Sequence, residues 1–446
     1  MISRYFLFFL FLLALFRLIG FYLEDKTLIF DDIIKSNSFK AVVCQEPERY
    51  FDRQEVVLCL KNKQKFLARL ETWPRLNLFD TLYLSCDLKN PENYSDFDYK
   101  GYLEKQGISK LCFYPQLQKI ESYTGKNWSF KLWQIKEGLV LKIDKNLEEP
   151  VAGILKAMLL GLKSELEPSL KEALTKLGLA HLLAVSGLHL GLLVYGLKEL
   201  LNKLRLRKVR NFLLLLFLIF YIFLIGAPIS AIRAGFMISF LFLFKEKNLK
   251  RRFWRCLFLM LSMRPSWLRE VGFQLSFMAV AGIVFILPKL EGSFWYFLNK
   301  LIFKLKRNKI LKLSFTLSSL ESSYFKKEVI RIILASLAVN ILIWPLLVYY
   351  FKSYNYLFLL YNLLVLPVLP LFLIFGILGL LLPVPLLGFM PVLVIGKYIE
   401  VISSFKAGYF ETEISKSFLL IYYCLFIVIY FISKKKFLKI KKNFLL

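Results

Sequence analysis

The chain has 446 residues, is 57% hydrophobic and 17% aromatic, and carries a formal net charge of +29. So apolar a composition excludes an ordinary soluble globular protein, and several runs of more than 18 nearly uncharged residues mark transmembrane helices. The basic surplus raises nucleic acid as a partner, but its placement has a simpler explanation. Residues 24–149 hold 20 Lys/Arg and 20 Asp/Glu, whereas the rest of the chain holds 41 and 12. The excess gathers at 198–210, 245–255, 300–312 and 434–442, short basic stretches between apolar spans. The positive-inside rule places such stretches in the cytoplasm, so charge alone is no argument for DNA.

In chain order, residues 1–23 (MISRYFLFFLFLLALFRLIGFYL) read as an uncleaved transmembrane anchor, because no small-residue cleavage site follows the apolar run. That puts 24–150 outside the cytoplasm. Strand-like alternation recurs there in SFKAVVCQ, EVVLCLKN, KFLARLETW, TLYLSCDL and ISKLCFYPQL, with a helical insert at Tyr99–Lys105. About five short strands and one helix fit a small β-barrel of the OB type. Four of the six cysteines fall in this segment, consistent with disulfides in an oxidising compartment. They allow three pairings. The strand reading favours Cys44 with Cys59 across a hairpin and Cys86 with Cys112, and four reduced thiols are the alternative.

Residues 151–178 carry an apolar stripe at helical spacing, broken near Gly161 and Pro168. Such a segment lies in the membrane interface or docks on a bundle. The membrane domain, 179–433, contains spans at about 179–197, 212–227, 230–244, 254–264, 270–288, 329–351, 356–382, 384–405 and 417–433. Counting crossings from an outside residue 150 puts all four basic stretches and the tail, 434–446, in the cytoplasm. The expected fold is thus a polytopic α-helical membrane protein of about 9–10 transmembrane helices with an extracytoplasmic OB-like domain. It sits in the inner membrane with both termini cytoplasmic.

Four separated strings carry a resemblance: GLAHLLAVSGLHLGLL (178–193), GAPISAIRAGFM (226–237), GFQLSFMAVAGI (272–283) and NLLVLPVLPL (362–371). Together, and in this order, they resemble the ComEC family, the inner-membrane channel for single-stranded DNA in natural competence. NPENYSDFDYKGYLEKQGI (90–108) looks like the end of that family's outer domain. The resemblance covers most of the chain and is specific in combination. Two departures stand out. Leu162 replaces an acidic residue usual in the family, and many members end in a metallo-β-lactamase-like domain thought to be a nuclease. With His181 and His189 the only histidines, both in an apolar span, the chain is read as a short form that transports without cutting.

A polyanion crossing lipid needs polar partners along its path. Ser186, Gly187 and His189 lie in one span with Ser186 and His189 on one helical face, and Arg233 is the only charge between Asn211 and Phe244. Gln274, Asn340 and Asn362 are further candidates, the last two near Pro345 and Pro367. Each has a structural alternative: an interhelical polar clamp for Ser186 and His189, a side chain snorkelling to the interface for Arg233 and likewise Gln274, ordinary proline kinks for Asn340 and Asn362. In the outer domain Trp73, Phe97, Tyr99, Tyr102, Phe113 and Tyr114 are candidates for stacking bases, although the domain's zero net charge argues against a strong phosphate groove. No G-x-x-x-x-G-K-[ST] run is present, so no nucleotide cofactor is expected and a separate cytoplasmic motor or single-strand-binding protein must pull. The resemblance also implies an extracytoplasmic DNA-binding competence protein and a separate nuclease as partners. Two rival readings are an exporter or flippase of another anionic polymer, and an intramembrane serine protease using Ser186. His189 shares a helix with Ser186 and is poorly placed as its base, so no enzyme is expected.

Overall fold

The computed structural model of the protein describes residues 38–60, 64–93, 99–105, 107–125, 127–179, 183, 187–244, 246–307, 324–405 and 407–443. The expected anchor at 1–23, with Phe97, His181 and Ser186, lies outside these residues. The chain forms two compact units. One takes in residues up to Glu172 with His181–Lys245 and Leu369–Glu400, the other Ala173–Ala180, Glu246–Val368 and Val401–Leu446.

Within the first unit, residues 38–121 form one mixed seven-stranded sheet. Its strands are β1 (Ser38–Val43), β2 (Glu48–Arg49), β3 (Gln54–Cys59), β4 (Lys65–Leu70), β5 (Thr81–Ser85), β6 (Ile108–Phe113) and β7 (Gln116–Glu121). The order is β6-β4-β3-β1-β5-β7 with β2 on β3, and only β4–β6 is parallel. Strand alternation sends Ala41, Val43, Val56, Leu58, Phe66, Ala68, Leu82 and Leu84 to one core. The opposite face of β3, β4 and β6 is covered by helix α1 (Tyr99–Lys105) through Leu103 and Tyr99. Beyond β5, Lys89 and Leu111 exchange backbone hydrogen bonds of 2.9 and 2.8 Å, linking that run to β6.

Five of these strands and the helical insert coincide with the sequence expectation; three elements do not. The run 108–117 is two strands, because Tyr114 turns the chain at φ 48° and Pro115 interrupts the ladder. β2 is only two residues long. Helix α2 (Trp128–Asn146) falls in a stretch to which the sequence assigned no element. Its inner stripe contains Lys136, which meets Glu46 at 2.9 Å, and this charge blurs the apolar period.

Cys44–Cys59 and Cys86–Cys112 are disulfides with Cα–Cα distances of 5.9 and 6.1 Å. The first joins the end of β1 to β3. The second ties the chain after β5 to β6, on the far side of the sheet order. They enclose separations of 15 and 26 residues. Loop-closure entropy makes the longer one worth roughly 3.5 kcal/mol and the shorter roughly 3 kcal/mol. Cys86→Ser/Cys112→Ser is therefore expected to lower the thermal midpoint more than Cys44→Ser/Cys59→Ser, read by differential scanning fluorimetry. An unchanged midpoint in both would remove the disulfides from the domain's stability.

Helix α3 (Val151–Leu160) is buried along its whole length, so the first part of the amphipathic segment docks on protein instead of lying on a membrane surface. Ten residues span about 15 Å, too short to cross hydrocarbon. Left-handed Gly161 ends it, and α4 (Pro168–Lys176) restarts at the expected proline. The first unit continues with α5 (Gly187–Lys203), α6 (Arg210–Leu224) and α7 (Ile229–Phe244), which pack on one another.

The second unit contains α8 (Leu249–Met263), a 3-10 turn (Pro265–Arg269), and α9 (Val271–Ala281) leading through a π-helical turn (Gly282–Ile286) into α10 (Leu287–Arg307). Pro288 has no N–H to donate back along the helix, and the wider turn before it absorbs that loss. Then come α11 (Tyr324–Phe351), which runs through Pro345, β8 (Ser353–Asn355) and α12 (Phe358–Val365). A turn at 366–368, at Pro367, separates α12 from α13 (Leu369–Leu381) of the first unit, followed by α14 (Pro385–Ser403). β9 (Tyr409–Glu411) and α15 (Lys416–Asn443) close the chain.

Among the described residues, four stretches are long and apolar enough to cross a membrane: Val271–Lys304, Lys326–Phe351, Phe358–Leu381 and Pro385–Ser403. The basic stretches read as loops are largely helical ends. Residues 198–203 belong to α5, 249–255 to α8, 300–307 to α10 and 434–442 to α15. Lysine and arginine are good helix formers, so the charge excess did not mark the helix limits.

Candidate functional site

α6 and α7 are joined by a tight turn in which Gly226 and Ala227 take φ of 81° and 52°. The Pro228 carbonyl accepts from the N–H groups of Ala231 and Ile232, opening α7. Arg233, one turn further, is 7% exposed, and His189 on α5 is 1% exposed. Gly187, at the start of α5, faces this turn. A Cβ there would lie 3.5 Å from Ala234 Cβ and 3.8 Å from Arg233 Nη2, ordinary contact. The structure thus brings Gly187 and Arg233 together between α5 and α7. The Arg233 side chain is buried, whereas the snorkelling alternative has it reach the surface. α7 contains no acidic residue and α5 none before Glu199. Ser239, also buried, is spent on the Gly235 carbonyl at 2.7 Å.

The other candidates belong to the second unit. Gln274 donates to the Leu268 carbonyl at 2.9 Å and accepts from the Tyr350 hydroxyl at 2.9 Å. Asn340 accepts from the Tyr354 hydroxyl at 2.8 Å. Both amides therefore hold helices and loops together. Asn362 differs: its Oδ1 is buried with no hydrogen-bond partner among the described residues, just before the break at Pro367. A buried acceptor left so costs about 1–3 kcal/mol, which singles out this amide as open to a hydrogen bond from solvent or a ligand.

In the outer domain Trp73 is 70% exposed with Arg75 over its ring at 5.5 Å, and Phe113 is exposed with Arg69 over it at 5.3 Å. Tyr114 is exposed as well. Tyr99 instead packs against the core beneath α1. Tyr102 lies on α1, and Phe97 is outside the described residues.

Two polar centres escaped the sequence reading. Lys156 is the only charge in α3, and its ammonium meets Asp144 at 2.8 Å, Glu165 at 2.9 Å and Glu149 at 3.1 Å. Its three donors each find a carboxylate. Burial alone would depress the Lys156 pKa; Glu165, Asp144 and Glu149 outweigh it and hold it above the ordinary lysine value. Stability from a raised lysine pKa is complete below the unfolded value and fades only above it, so this hub is intact at neutral pH. A lone lysine inside an apolar decapeptide was the available signal.

The second centre is buried Asn355, which donates to the carbonyls of Lys176 (2.9 Å) and Ala407 (3.1 Å) and accepts from Leu357 N–H (2.8 Å). Beside it β8 pairs antiparallel with β9, Asn355 opposite Tyr409. Nothing in the three-residue run SYN announced this.

Long apolar helices define a membrane protein, and in the shorter helices α7 and α5 of the first unit the Arg233 guanidinium and the His189 imidazole are buried. The Competence protein family matches residues 158–437, well over half of the chain, and the chain belongs to that family. All four strings that carried the resemblance lie within the match. The chain is also 30% identical over 260 residues to ComE operon protein 3 of Bacillus subtilis (strain 168). That alignment takes in 54% of this chain and 33% of the relative, so it spans only a third of the relative's length. No solved structure matches.

Proposed function

We propose that the chain is a passive channel that conducts single-stranded DNA through the inner membrane during competence, and that it is not an enzyme. The observation that carries this reading is the buried Arg233 against Gly187, in helices matched by the Competence family. A guanidinium offers bidentate contacts to phosphate, and the small residue beside it lets a strand approach. An inside-negative potential opposes anion influx by roughly 2.3 kcal/mol per charge per 100 mV, so a separate motor or an internal single-strand-binding protein must draw the strand in. A DNA-binding competence protein outside and a separate nuclease would supply single strands.

The outer domain reads as OB-like. The parallel β4–β6 pair, the antiparallel β1–β5 pair and the Lys89–Leu111 bridge follow the order of a five-stranded barrel with β2 and β7 added. Its helix, α1, lies in the connection before the last barrel strand, the stretch that carries Phe97, Tyr99 and Tyr102. The chain is read as crossing the membrane 9–10 times with both termini cytoplasmic, and the β8–β9 pair bears on the parity of one part of that count. These two strands flank Phe358–Leu381 and Pro385–Ser403 and must share a side, which requires an even number of crossings between them.

The test is uptake of a labelled oligonucleotide by proteoliposomes holding a single-strand-binding protein inside. Wild-type protein is expected to admit single strands. Arg233→Gln should slow uptake by about tenfold or more while Arg233→Lys retains part of it, as loss of a charge-assisted contact requires. Wild-type rates for Arg233→Gln would take Arg233 out of the path. No admission by the wild-type protein would end the channel reading, and passage of another polyanion alone would favour an exporter.

A further inference from the structure

The helix running from Val271 to Arg307 is registered against α11 by a series of rungs. The Tyr350 hydroxyl meets Gln274 at 2.9 Å, and a Cβ on Gly282 would lie 2.6 Å from the Ala338 carbonyl. Further along, Arg331 meets Glu291 at 3.3 Å, and Lys327 lies over the Trp295 ring at 5.8 Å. As residue numbers rise on one helix they fall on the other, so the two run antiparallel side by side. The uncharged stretch ends at Lys289. The charged rungs at Glu291–Arg331 and Trp295–Lys327, with Lys326 and Glu328, therefore mark the edge of the hydrocarbon. α11 starts only three residues before Lys327, whereas α10 continues for twelve beyond Trp295, about 18 Å.

This overshoot is two-faced. Leu298 and Ile302 are buried, while Tyr296, Phe297, Lys300, Phe303 and Lys304 are exposed, Phe297 by 66% and Phe303 by 70%. The spacing puts rings and ammonium groups in alternation along one helical side. No acidic residue occurs between Glu291 and Glu321. Exposed aromatic rings beyond the charged rungs offer a binding surface, and interleaved cations select a ligand with flat apolar groups on an anionic thread.

We propose that this face of α10 is the first landing site for single-stranded DNA on the cytoplasmic side, with bases stacking on Tyr296, Phe297 and Phe303 and phosphates meeting Lys300 and Lys304. The proposal rests on the channel reading and names a site beyond the path itself.

The test uses the full chain in nanodiscs with a labelled oligothymidine carrying photoreactive 4-thiothymidine. Crosslinks are expected in the peptide spanning 296–304. The quadruple variant Phe297→Ala/Lys300→Glu/Phe303→Ala/Lys304→Glu should lose them, weaken binding by about tenfold or more, and flatten the dependence of log affinity on log salt by about 1.4. Phe297→Tyr/Lys300→Arg/Phe303→Tyr/Lys304→Arg should keep both signals, separating recognition from misfolding. Crosslinks that map elsewhere, or an unchanged affinity in the quadruple variant, overturn the landing site. A duplex that competes equally, or an affinity loss only in anionic lipid, does the same by pointing to charge or head groups alone. Proteoliposome uptake at the wild-type rate alongside any of these results would leave the channel reading standing without it.

Discussion

Gly282→Ala is expected to be among the most damaging single-methyl changes in the second unit. A Cβ there would lie 2.6 Å from the Ala338 carbonyl oxygen and 2.9 Å from Val339 Cα. Both are backbone atoms of α11, and no flexible side chain can move aside. Small residues at helix interfaces in membranes allow this kind of close approach, and packing is what drives association there. Overpacking of this kind costs about 3 kcal/mol. Thermal unfolding in nanodiscs should show the loss. Gly272→Ala, where nothing lies within 4 Å, should show none. Equal midpoints for the two variants would mean that α9 and α11 do not meet as described.

Lys156→Met should cost about 3–5 kcal/mol, because removing one member of a buried charge cluster leaves the others uncompensated. Three carboxylates remain, and Glu165 is the most enclosed, with 11% of its side chain exposed. The same substitution combined with Glu165→Gln is expected to recover part of the loss, since it removes the most buried of the negative charges. The readout is the midpoint of unfolding together with the level of protein in the membrane. A Lys156→Met protein as stable as wild type would show the hub to be dispensable. The hub ties Asp144 on α2 to α3 and to the turn after Gly161. Its loss should therefore also loosen the end of α2 in hydrogen exchange.

Much of this architecture was legible because it rests on period and punctuation. Alternation gave β1, β3, β4 and β5, and Gly161 and Pro168 gave the break between α3 and α4. The pair Gly226-Pro228 gave the turn before α7. What the sequence hid has two physical causes. The first is charge on helical surfaces: lysines extend α5, α10 and α15 beyond the apolar spans, so hydropathy ends before the helix does. The second is partners far along the chain. Asn355 and Lys156 look ordinary until Lys176, Ala407, Asp144 and Glu165 arrive beside them. Among the candidate path residues, Gly187 and Arg233 lie side by side, whereas Gln274 and Asn340 are occupied in holding loops. A hydrogen-bonding side chain in an apolar span signals a partner, and sequence alone does not tell a ligand from a neighbouring tyrosine.

The knot of hydrogen bonds at Asn355 also sets a schedule for biosynthesis. Its amide bonds the Lys176 carbonyl across 179 positions, and the β8–β9 ladder adds a segment made later still. At bacterial elongation rates the carbonyl of Lys176 waits roughly 9 to 36 s for its partner. Until then α4 and the helices after it must be inserted and held without their final clasp. The second unit can lock only once β9 has been made, so a nascent chain stalled before β9 should be an open, protease-sensitive assembly.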